Sequence, residues 1–383
     1  MQKLANSGLR RYSSKEALTL ALPLQRLLGI SRLASVGEFI DLPGISVVNA
    51  VRTTLKEGQV SSTQGKGRSL VSATCSALME AYERHCACWC DDAIYPRTAD
   101  QEDSALVAQL GFKPDGEITF WMDGQELHTG KPIRIPAIEV QFPYHKPDAK
   151  LTNVRAHTSG LATGGSKEEA ICFAMMETIE RNITSHFYQH CLSSICADMV
   201  DLNSIVHPAT RALWHSLNDK GYESFALRIH GPLPVFYVAL YDPVSMGPKF
   251  MIAGSAAGFT ESEALDAALL EAVQGLVVSL QASREDLSRQ KHKYASQTFS
   301  NQSRFSTLRD LFRKHYPSFS LPLQETSPAT LQCATQHLVS MLTAQGKERI
   351  YIVDLSLRDT PFHTVKAIVP GMFDRHVNPE RDA

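Results

Sequence analysis

Apolar positions recur at helical spacing in three Ala-rich segments, and each segment begins with a glycine and a short polar turn. The segments are 65–84 (GKGRSLVSATCSALMEAYER), 164–181 (GGSKEEAICFAMMETIER) and 258–275 (GFTESEALDAALLEAVQG). Each carries a glutamate late in its length, Glu80, Glu177 and Glu271, at offsets of 97 and 94 residues. This self-similarity predicts three repeated loop–helix modules inside one domain.

The sequence between the predicted helices is rich in β-branched and aromatic residues and is interrupted by turn residues. These features predict strands within 117–142, 225–242 and 348–357. Because the strands come in pairs separated by single long helices, they predict an α+β fold with antiparallel sheets rather than a strict βαβ series.

The composition is that of an ordinary globular protein with a sizeable core, since 43% of the 383 residues are hydrophobic and 20% are charged. We predict a lead segment over 1–25 and a single domain over 26–383, with a mobile polar loop near 284–306. The formal net charge of −2 gives no excess of positive charge, which disfavours a nucleic-acid-binding protein.

No apolar run approaches the roughly 20 residues that span a bilayer, so we predict no membrane association. Arg10 and Arg11 hint at a twin-arginine signal, but Lys15 and Glu16 interrupt the apolar stretch that would follow. We therefore predict a cytoplasmic protein.

The chain has eight cysteines, several of them within apolar helical patterns, and in a cytosolic protein these are typical of core residues or free thiols. They are Cys75, Cys86, Cys88, Cys90, Cys172, Cys191, Cys196 and Cys333. The stretch RHCACWCDD does not have the ligand spacing of a zinc site. We interpret its cysteines as buried or inert thiols, with a metal site and a redox or sulfur-handling role as alternatives.

Two of the predicted helices carry a pair of glutamates three residues apart, which places each pair on one helix face. The pairs are Glu80 with Glu83 and Glu177 with Glu180, and Arg84 and Arg181 follow them. Four carboxylates against two arginines leave an excess of negative charge on largely apolar segments. Oxygen-only ligands of this kind suit Mg²⁺.

Two other interpretations of these glutamates are weaker. A solvated helix face with surface Glu–Arg pairs explains one such helix better than it explains two. A di-iron helix bundle needs Glu-x-x-His, whereas Cys86 and Ile183 stand at the histidine positions.

The segment SSTQGKGRS, residues 61–69, predicts a phosphate-binding loop before the first acidic helix. It is not a P-loop, because the glycine spacing differs and Gly67 stands where Ser or Thr is required. Glycine backbone amides, a helix N-terminus and Lys66 nevertheless favour an anion. The segment TSGLATGGS, 158–166, offers a second such loop. Together they predict a nucleotide with its metal ions, although Lys66 as a solvent-exposed loop lysine stays an alternative.

Three histidines, His157, His186 and His190, lie around the second helix. One of them could serve as a proton shuttle, although a surface or core position is the favoured interpretation.

Four blocks of the chain, in this order, resemble the YcaO family. They are GISRLASVGEFIDLPGISVVNAVR (29–52), SSTQGKGRSLVSATCSALMEAYER (61–84), TSGLATGGSKEEAICFAMMETIER (158–181) and AALLEAVQGLVVSLQASRED (267–286). The resemblance covers about residues 25 to 370. It implies a YcaO-type α+β fold, neither P-loop nor Rossmann, that binds ATP and Mg²⁺.

The resemblance also implies an activity and a set of site residues. ATP activates a peptide backbone amide by O-phosphorylation, and the product is an azoline or a thioamide in a ribosomally made natural product. The implied metal ligands are Glu80, Glu83, Glu177 and Glu180. Ser62 and Lys66 are implied to meet nucleotide or phosphate, Gln274 and Arg284 to line the nucleotide pocket, and Arg181 to support the glutamates or contact phosphate. Lys66, Arg181 and Arg284 are therefore the implied catalytic residues.

The chain departs from the family pattern at three places. Ser159-Gly160 stands where Asn-Gly is frequent, and Asn182 stands where an acidic residue often follows Glu-Arg. The end of the chain, VPGMFDRHVNPERDA, lacks the Pro-x-Pro-x-Pro tail of many azoline-forming members. These differences favour the thioamide or another non-azoline branch.

The resemblance implies a precursor peptide as substrate. We expect a separate partner, either an E1-like leader-peptide-binding protein or a TfuA protein, because no fused peptide-clamp domain fits before residue 25. We also expect a homodimer. The alternative from another class is a nucleotide-binding scaffold protein without catalytic activity, which the intact glutamates and Lys66 disfavour.

Overall fold

A computed structural model describes residues 9–53, 59–88, 95–96, 106–112, 118, 120–146, 154–243, 251–281 and 301–372. The chain forms two compact units. Among the described residues, unit one comprises 13–81 and 190–327, and unit two comprises 9–12, 82–189 and 328–372. Each unit combines segments that are distant in the chain, and the single domain expected over 26–383 stays a prediction.

The helices with described bounds are α1 (Ser14–Ala21), α2 (Leu70–Cys86), α3 (Ala137–Val140), α4 (Lys167–His190), α5 (Pro208–Asp219), α6 (Glu261–Gln281), α7 (Asn301–His315) and α8 (Leu331–Ala344). The strands are β1 (Ile30–Ser35), β2 (Ser46–Arg52), β3 (Ser62–Gly67), β4 (Tyr95–Pro96), β5 (Phe120–Glu126), β6 (Pro132–Pro136), β7 (Leu161–Gly164), β8 (Ala197–Val200), β9 (Glu223–Ile229), β10 (Val235–Tyr241), β11 (Ile252–Ala257), β12 (Ser318–Phe319), β13 (Tyr351–Asp354) and β14 (His363–Ile368).

Unit one contains two sheets. The first is antiparallel with the order β1–β2–β3, and the second has the order β11–β10–β9–β8–β12, in which β12 pairs with β8 in parallel and the other pairs are antiparallel. All seven positions of β10 are buried, as its unbroken apolar sequence requires. Helix α6 packs on β10 and β11 and buries Leu269, Val273 and Leu276 in the core of this unit.

Unit two contains a six-stranded sheet with the order β4–β5–β13–β14–β7, and β6 pairs with the other side of β5. Its strand pairs are antiparallel. Pro132 and Pro136 bound β6, which agrees with its edge position because proline cannot donate to a ladder. The strand predicted to run to 142 therefore ends at Pro136, and α3 follows it. The α+β prediction with antiparallel sheets is confirmed.

Three strand–helix modules repeat with the same geometry; the sequence predicted the repeat, but with a loop where the structure has a strand. A glycine lies three residues before each helix, namely Gly67 before α2, Gly164 before α4 and Gly258 before α6. The hydroxyl before each helix accepts a hydrogen bond from the backbone N–H three residues on, at 3.2 Å in every module. These capping residues are Ser69, Ser166 and Thr260. Counted from the module glycines, Glu80, Glu177 and Glu271 occupy the same position.

The module glycines let each helix approach its strand. A Cβ atom at Gly67, Gly164 or Gly258 would lie 2.7–2.8 Å from the backbone nitrogen of the alanine six residues later, too close for any side chain. A Cβ at Gly65 would overlap the backbone of Ala73 and Ala77. The loop predicted over 61–69 is therefore mostly strand, because Ser62–Gly67 form β3. In 158–166 only Leu161–Gly164 form β7, with Gly160 in the turn before it and Gly165 after it. Phosphate binding by these segments stays a prediction.

Other predictions have mixed outcomes. The region 225–242 forms β9 and β10, and the region 348–357 contains β13. In the predicted mobile loop, 284–300 lies outside the described residues, whereas 301–306 is helical. No helix in the described part of the chain is long and apolar enough to cross a membrane.

Candidate functional site

Strand β3 divides its side chains between two faces. Thr63 donates a hydrogen bond from Oγ1 to the carbonyl oxygen of Ala77 at 3.1 Å, and Gly65 packs against the same helix, so the odd-numbered positions face α2. Side chains alternate along a strand. Ser62, Gln64 and Lys66 therefore share the opposite face.

The carboxylate of Glu80 lies at the outer edge of β3. Its Oε2 accepts a hydrogen bond from the backbone N–H of Gln64 at 2.9 Å. Strand β3 ends the β1–β2–β3 sheet among the described residues, so this N–H points away from the ladder. The structure thus anchors the first predicted metal ligand on the predicted phosphate-binding segment.

Lys66 forms an ion pair with the acid of the third module. Its Nζ lies 2.7 Å from Oε2 of Glu271 on α6, and the two side chains are 25% and 39% exposed. The lysine is accordingly neither buried nor a lone loop residue. The sequence singled out Glu271 through its offset from Glu177, but assigned it no role in the site. The threefold repeat was the signal from which a place for Glu271 in the site could have been predicted.

The polar face of β3 also carries uncharged side chains. Gln64 donates from Nε2 to Oγ of Ser62 at 2.6 Å, and both residues are buried. Asn49 lies directly opposite Gln64 in the β2–β3 ladder, which places it on the same face. It donates from Nδ2 to Oε1 of Gln281 on α6 at 2.9 Å. Sequence reasoning missed Asn49, Gln64 and Gln281, because no local motif marks them.

These contacts define a seam of polar side chains where the β2–β3 face meets α6, called the polar trough below. It is formed by Asn49, Ser62, Gln64, Lys66, Glu271, Gln274 and Gln281. Gln274 belongs to it because it lies three residues after Glu271 and seven before Gln281, on the same helix stripe. The structure thus places Ser62 and Lys66 on one face of β3, and Gln274 on the helix stripe of Glu271, the partner of Lys66. Arg284 lies outside the described residues.

The predicted residues of unit two lie on α4 and on the end of α2. Arg181 Nε lies 3.6 Å from Oε1 of Glu177, one helical turn earlier, and both side chains are partly exposed. Glu180 lies on the same helix, and Glu83 lies in the last turn of α2. The guanidinium of Arg84 stands over the ring of Phe142 at 5.5 Å. The metal role of these glutamates stays a prediction.

His157 belongs to a buried polar cluster in unit two. Its Nε2 lies 3.0 Å from Oε2 of Glu139, and Lys366 Nζ donates to its carbonyl oxygen at 2.9 Å. Lys366 is fully buried, and the His157 side chain is 13% exposed. This position agrees with the core interpretation, whereas His186 and His190 are exposed.

The described cysteines form no disulfide bonds with one another. Cys86 and Cys88 are buried, as predicted, and Cys90 lies outside the described residues. Burial raises the pKa of the Cys86 thiol to about 12, so it is an inert group at neutral pH.

The Arg10–Arg11 pair contacts α4 within unit two. Arg10 Nη1 and the backbone N–H of Arg11 both reach the carboxylate of Glu169 at 2.9 Å. The Arg10 guanidinium also lies 3.7 Å from the ring centre of Phe173. These residues are thus part of the folded unit.

The donor chemistry of the trough and of Glu80, at the edge of β3, fits a magnesium nucleotide. Among the described residues, no three His, Cys, Asp or Glu side chains converge as a preformed metal cluster. Mg²⁺ commonly takes one or two protein carboxylates and completes its shell with phosphate oxygens and water. Glu80 and Glu271 supply hard oxygen atoms, and Lys66 supplies a cation for phosphate.

Comparisons with known proteins agree with this description. The family model described as YcaO cyclodehydratase, ATP- and Mg²⁺-binding, matches residues 64–373. An uncharacterized protein of Methanothermobacter thermautotrophicus is 27% identical over 366 residues, which cover 93% of this chain and 92% of that protein.

Two solved structures share the fold. YcaO from Methanopyrus kandleri bound with AMPPCP and Mg²⁺ superposes with a TM-score of 0.74 at 22% identity, covering 96% of this chain and 93% of that one. A chain of the Escherichia coli microcin synthetase McbBCD complex with pro-MccB17 bound gives a TM-score of 0.64 at 15% identity, covering 88% and 87%.

Proposed function

Because the chain belongs to the YcaO family, we propose that it is an enzyme that uses ATP to activate a peptide backbone amide by O-phosphorylation. ATP and Mg²⁺ are its cofactors, as the family description states. The proposed product is an azoline or a thioamide in a ribosomally synthesised, post-translationally modified peptide. The observation that carries the proposal is the anchoring of Glu80 on β3 beside the Lys66–Glu271 ion pair.

Each predicted residue has a proposed part in this chemistry. When bound, magnesium and ATP supply the phosphoryl group and neutralise its charge as it transfers to the amide oxygen. We assign magnesium binding to Glu80, Glu83, Glu177 and Glu180, and nucleotide binding to Ser62, Lys66, Gln274 and Arg284. Lys66 Nζ forms an ion pair with Glu271, and we propose that it binds a phosphate of ATP instead when the nucleotide is present. Arg181 and Arg284 are proposed as further cations at the phosphates.

The proposed substrate is a precursor peptide, delivered by a separate E1-like or TfuA partner protein. The microcin synthetase complex, which has a precursor bound, supports a peptide substrate and a multiprotein assembly by analogy of fold. A homodimer and a cytoplasmic location remain part of the proposal.

The test measures phosphate release and peptide mass together. The purified chain is incubated with Mg²⁺-ATP, a candidate precursor peptide and a candidate partner protein from neighbouring genes, with and without inorganic sulfide as the sulfur donor. We expect peptide-dependent phosphate release and either loss of one water or replacement of one oxygen by sulfur in the peptide. Glu80→Ala and Glu177→Ala are expected to abolish both signals, whereas Glu168→Ala, an exposed acid in the first turn of α4, retains them.

Nucleotide binding without phosphate release or mass change under these conditions would instead identify a catalytically inactive scaffold. Full activity of the Glu80→Ala variant would refute the assigned metal site.

A further inference from the structure

The loop that connects α4 to β8 contains two cysteines close to one tyrosine of unit one. Residues 191–196 of this loop read CLSSIC. Cys191 and Cys196 are both partly exposed, and the four residues between them are exposed. The other described cysteines are buried, apart from Cys333 on α8. Cys191 and Cys196 are therefore two thiols, near each other in the chain, that an oxidant in solution can reach.

The hydroxyl group of Tyr316 contacts both ends of this loop. It donates a hydrogen bond to the carbonyl oxygen of Cys191 at 2.6 Å and lies 3.5 Å from Sγ of Cys196. Because its hydrogen is directed at the carbonyl, its oxygen can accept a hydrogen bond from the Cys196 thiol. Burial raises the pKa of Tyr316, and the thiols of Cys196 and Cys191 also raise it, which agrees with a position of both near the hydroxyl.

The tyrosine is held in place by the end of α7. Tyr316 is 4% exposed, and its ring stacks on that of Phe312, with the ring centres 5.3 Å apart. The neighbouring His315 donates a hydrogen bond from Nε2 to the carbonyl oxygen of Ser194 at 3.1 Å. The middle and both ends of the loop are therefore fixed on one buried anchor, which restricts the separation of the two cysteines.

We propose that Cys191 and Cys196 form a reversible disulfide bond on exposure to a low-molecular-weight disulfide, RSSR. One cysteine thiolate attacks RSSR, which forms a mixed disulfide and releases RS⁻. The second thiolate attacks the cysteine sulfur of the mixed disulfide and releases the second RS⁻. The two cysteines lose two electrons and two protons, and RSSR takes them up as two RSH. This modification site does not depend on the proposed use of ATP.

The geometry of the loop is compatible with closure of this bond. Two atoms that lie 2.6 and 3.5 Å from one hydroxyl oxygen are at most about 6 Å apart, and here they are the Cys191 carbonyl oxygen and Cys196 Sγ. A disulfide joins Cα atoms about 4.4–6.8 Å apart. Residues 191–196 belong to no helix or strand, so the loop can adjust without breaking either. The anchor should raise the effective concentration of one thiol at the other above its value in the unfolded chain.

The test measures this effective concentration in mixtures of reduced and oxidised glutathione. The full chain is equilibrated in native buffer or in urea, the remaining thiols are blocked with N-ethylmaleimide, and the protein is digested with trypsin. Cys191 and Cys196 are the two cysteines of the tryptic peptide 182–211. The internal disulfide therefore leaves this peptide unlabelled and lighter by two hydrogen atoms. We expect an effective concentration about tenfold higher in the native protein than in urea.

Three variants separate the role of the anchor from that of the short loop. Cys196→Ser is expected to abolish the internal disulfide and to leave Cys191 as a mixed disulfide with glutathione. Tyr316→Phe keeps the ring but removes the hydroxyl, and should bring the native value close to the value in urea. Cys333→Ser, on α8 in unit two, should retain the value of the parent.

The comparison of the native and unfolded parent needs no variant, so it decides the question even if Tyr316→Phe fails to fold. A native effective concentration equal to or below that in urea would overturn the inference. So would a peptide 182–211 that carries only mixed disulfides at every ratio of oxidised to reduced glutathione. An unchanged native value in a folded Tyr316→Phe variant would overturn the role given to the tyrosine.

Discussion

Individual side chains in this protein differ more in environment than their types suggest. Cys86 and Cys172 are buried, and burial raises their pKa values to about 12 and about 11, whereas Cys333 is exposed on α8. Asp354 is partly exposed, yet hydrogen bonds shift its pKa downward. Burial and hydrogen bonding therefore change the pKa of a side chain from the value that is usual for its type.

Thiol reactivity gives a direct measurement of this difference. At pH 8 a thiol reacts through its thiolate, and the buried thiols have almost none. We expect Cys333 to be alkylated by iodoacetamide in the native protein within minutes, while Cys86 and Cys172 stay unmodified until the chain is denatured. Peptide mass spectrometry of samples taken at successive times would measure the alkylation of each cysteine. Equal alkylation of Cys86 and Cys333 in the native protein would contradict the described burial.

The pH dependence of stability tests Asp354. Burial opposes ionisation, but hydrogen bonds from Ser356 and Lys167 outweigh it and hold the pKa of Asp354 below its ordinary value of 3.8. Its stabilising contribution is therefore fully present above the pKa of the unfolded chain and is lost as pH falls through the lower native value. We expect Asp354→Asn to lower the free energy of unfolding at pH 7 by about 0.5–1 kcal/mol, since the pair with Lys167 is partly exposed.

The measurement is urea unfolding of the variant and the parent at pH 7 and below pH 3. The difference between them should shrink at the lower pH. Asp219→Asn, which changes an exposed carboxylate at the end of α5, is the control. A difference that persists or grows in acid would contradict the assignment.

The strand–helix modules show how glycines that suggest a ligand-binding loop can serve helix packing. Their glycines lie where the helix backbone meets the strand, in the same geometry three times. The glycine-rich composition that suggests an anion loop is here required by close approach. The module still brings the acid on its helix next to the strand, as Glu80 and Gln64 show.

Substitution of Gly65, two residues before the module glycine Gly67, tests this packing. Gly65→Ala places a methyl group into the backbone of α2, and backbone cannot move aside as a side chain end can. We expect a loss of about 1–3 kcal/mol in the free energy of unfolding, toward the upper end of the usual cost of overpacking. Gly124→Ala, in β5, would meet its neighbours at 3.2–3.3 Å and should cost less. Thermal and urea unfolding of both variants would show the ranking, and a neutral Gly65→Ala would disprove the close approach.

Each unit of the molecule depends on contacts between distant parts of the chain. In unit one the trough joins residues 205 and 232 positions apart. A ligand that contacts both sides of the trough should stabilise this unit, since it binds the folded state and not the unfolded chain.

A thermal shift measures this stabilisation. At a concentration one hundred times Kd, Mg²⁺-ATP is expected to contribute about 2.7 kcal/mol. We expect the Tm to rise by a few degrees, by less in EDTA, and by less for Lys66→Met. Adenosine without phosphates should have little effect, because it lacks the groups that Lys66 binds. A full shift in the Lys66→Met variant would show that the nucleotide binds elsewhere.

The local sequence pattern was sufficient to predict the repeated features of this protein. The helix period, the glycine and the cap recur in 65–84, 164–181 and 258–275, and the offsets alone established that Glu80, Glu177 and Glu271 are equivalent. Local chemistry dictates such features, because a cap or an amphipathic face depends on residues a few positions away.

The composition of the trough depended on packing between distant segments. Glycine is compatible with both loop and strand, so the glycines of 61–69 led to the prediction of a loop, whereas Ser62–Gly67 form a strand packed on α2. Lys66 meets Glu271, and Asn49 meets Gln281, because α6 lies along β3. No periodicity within a single segment carries that information, since sheet pairing and helix docking bring together residues that are far apart in the chain.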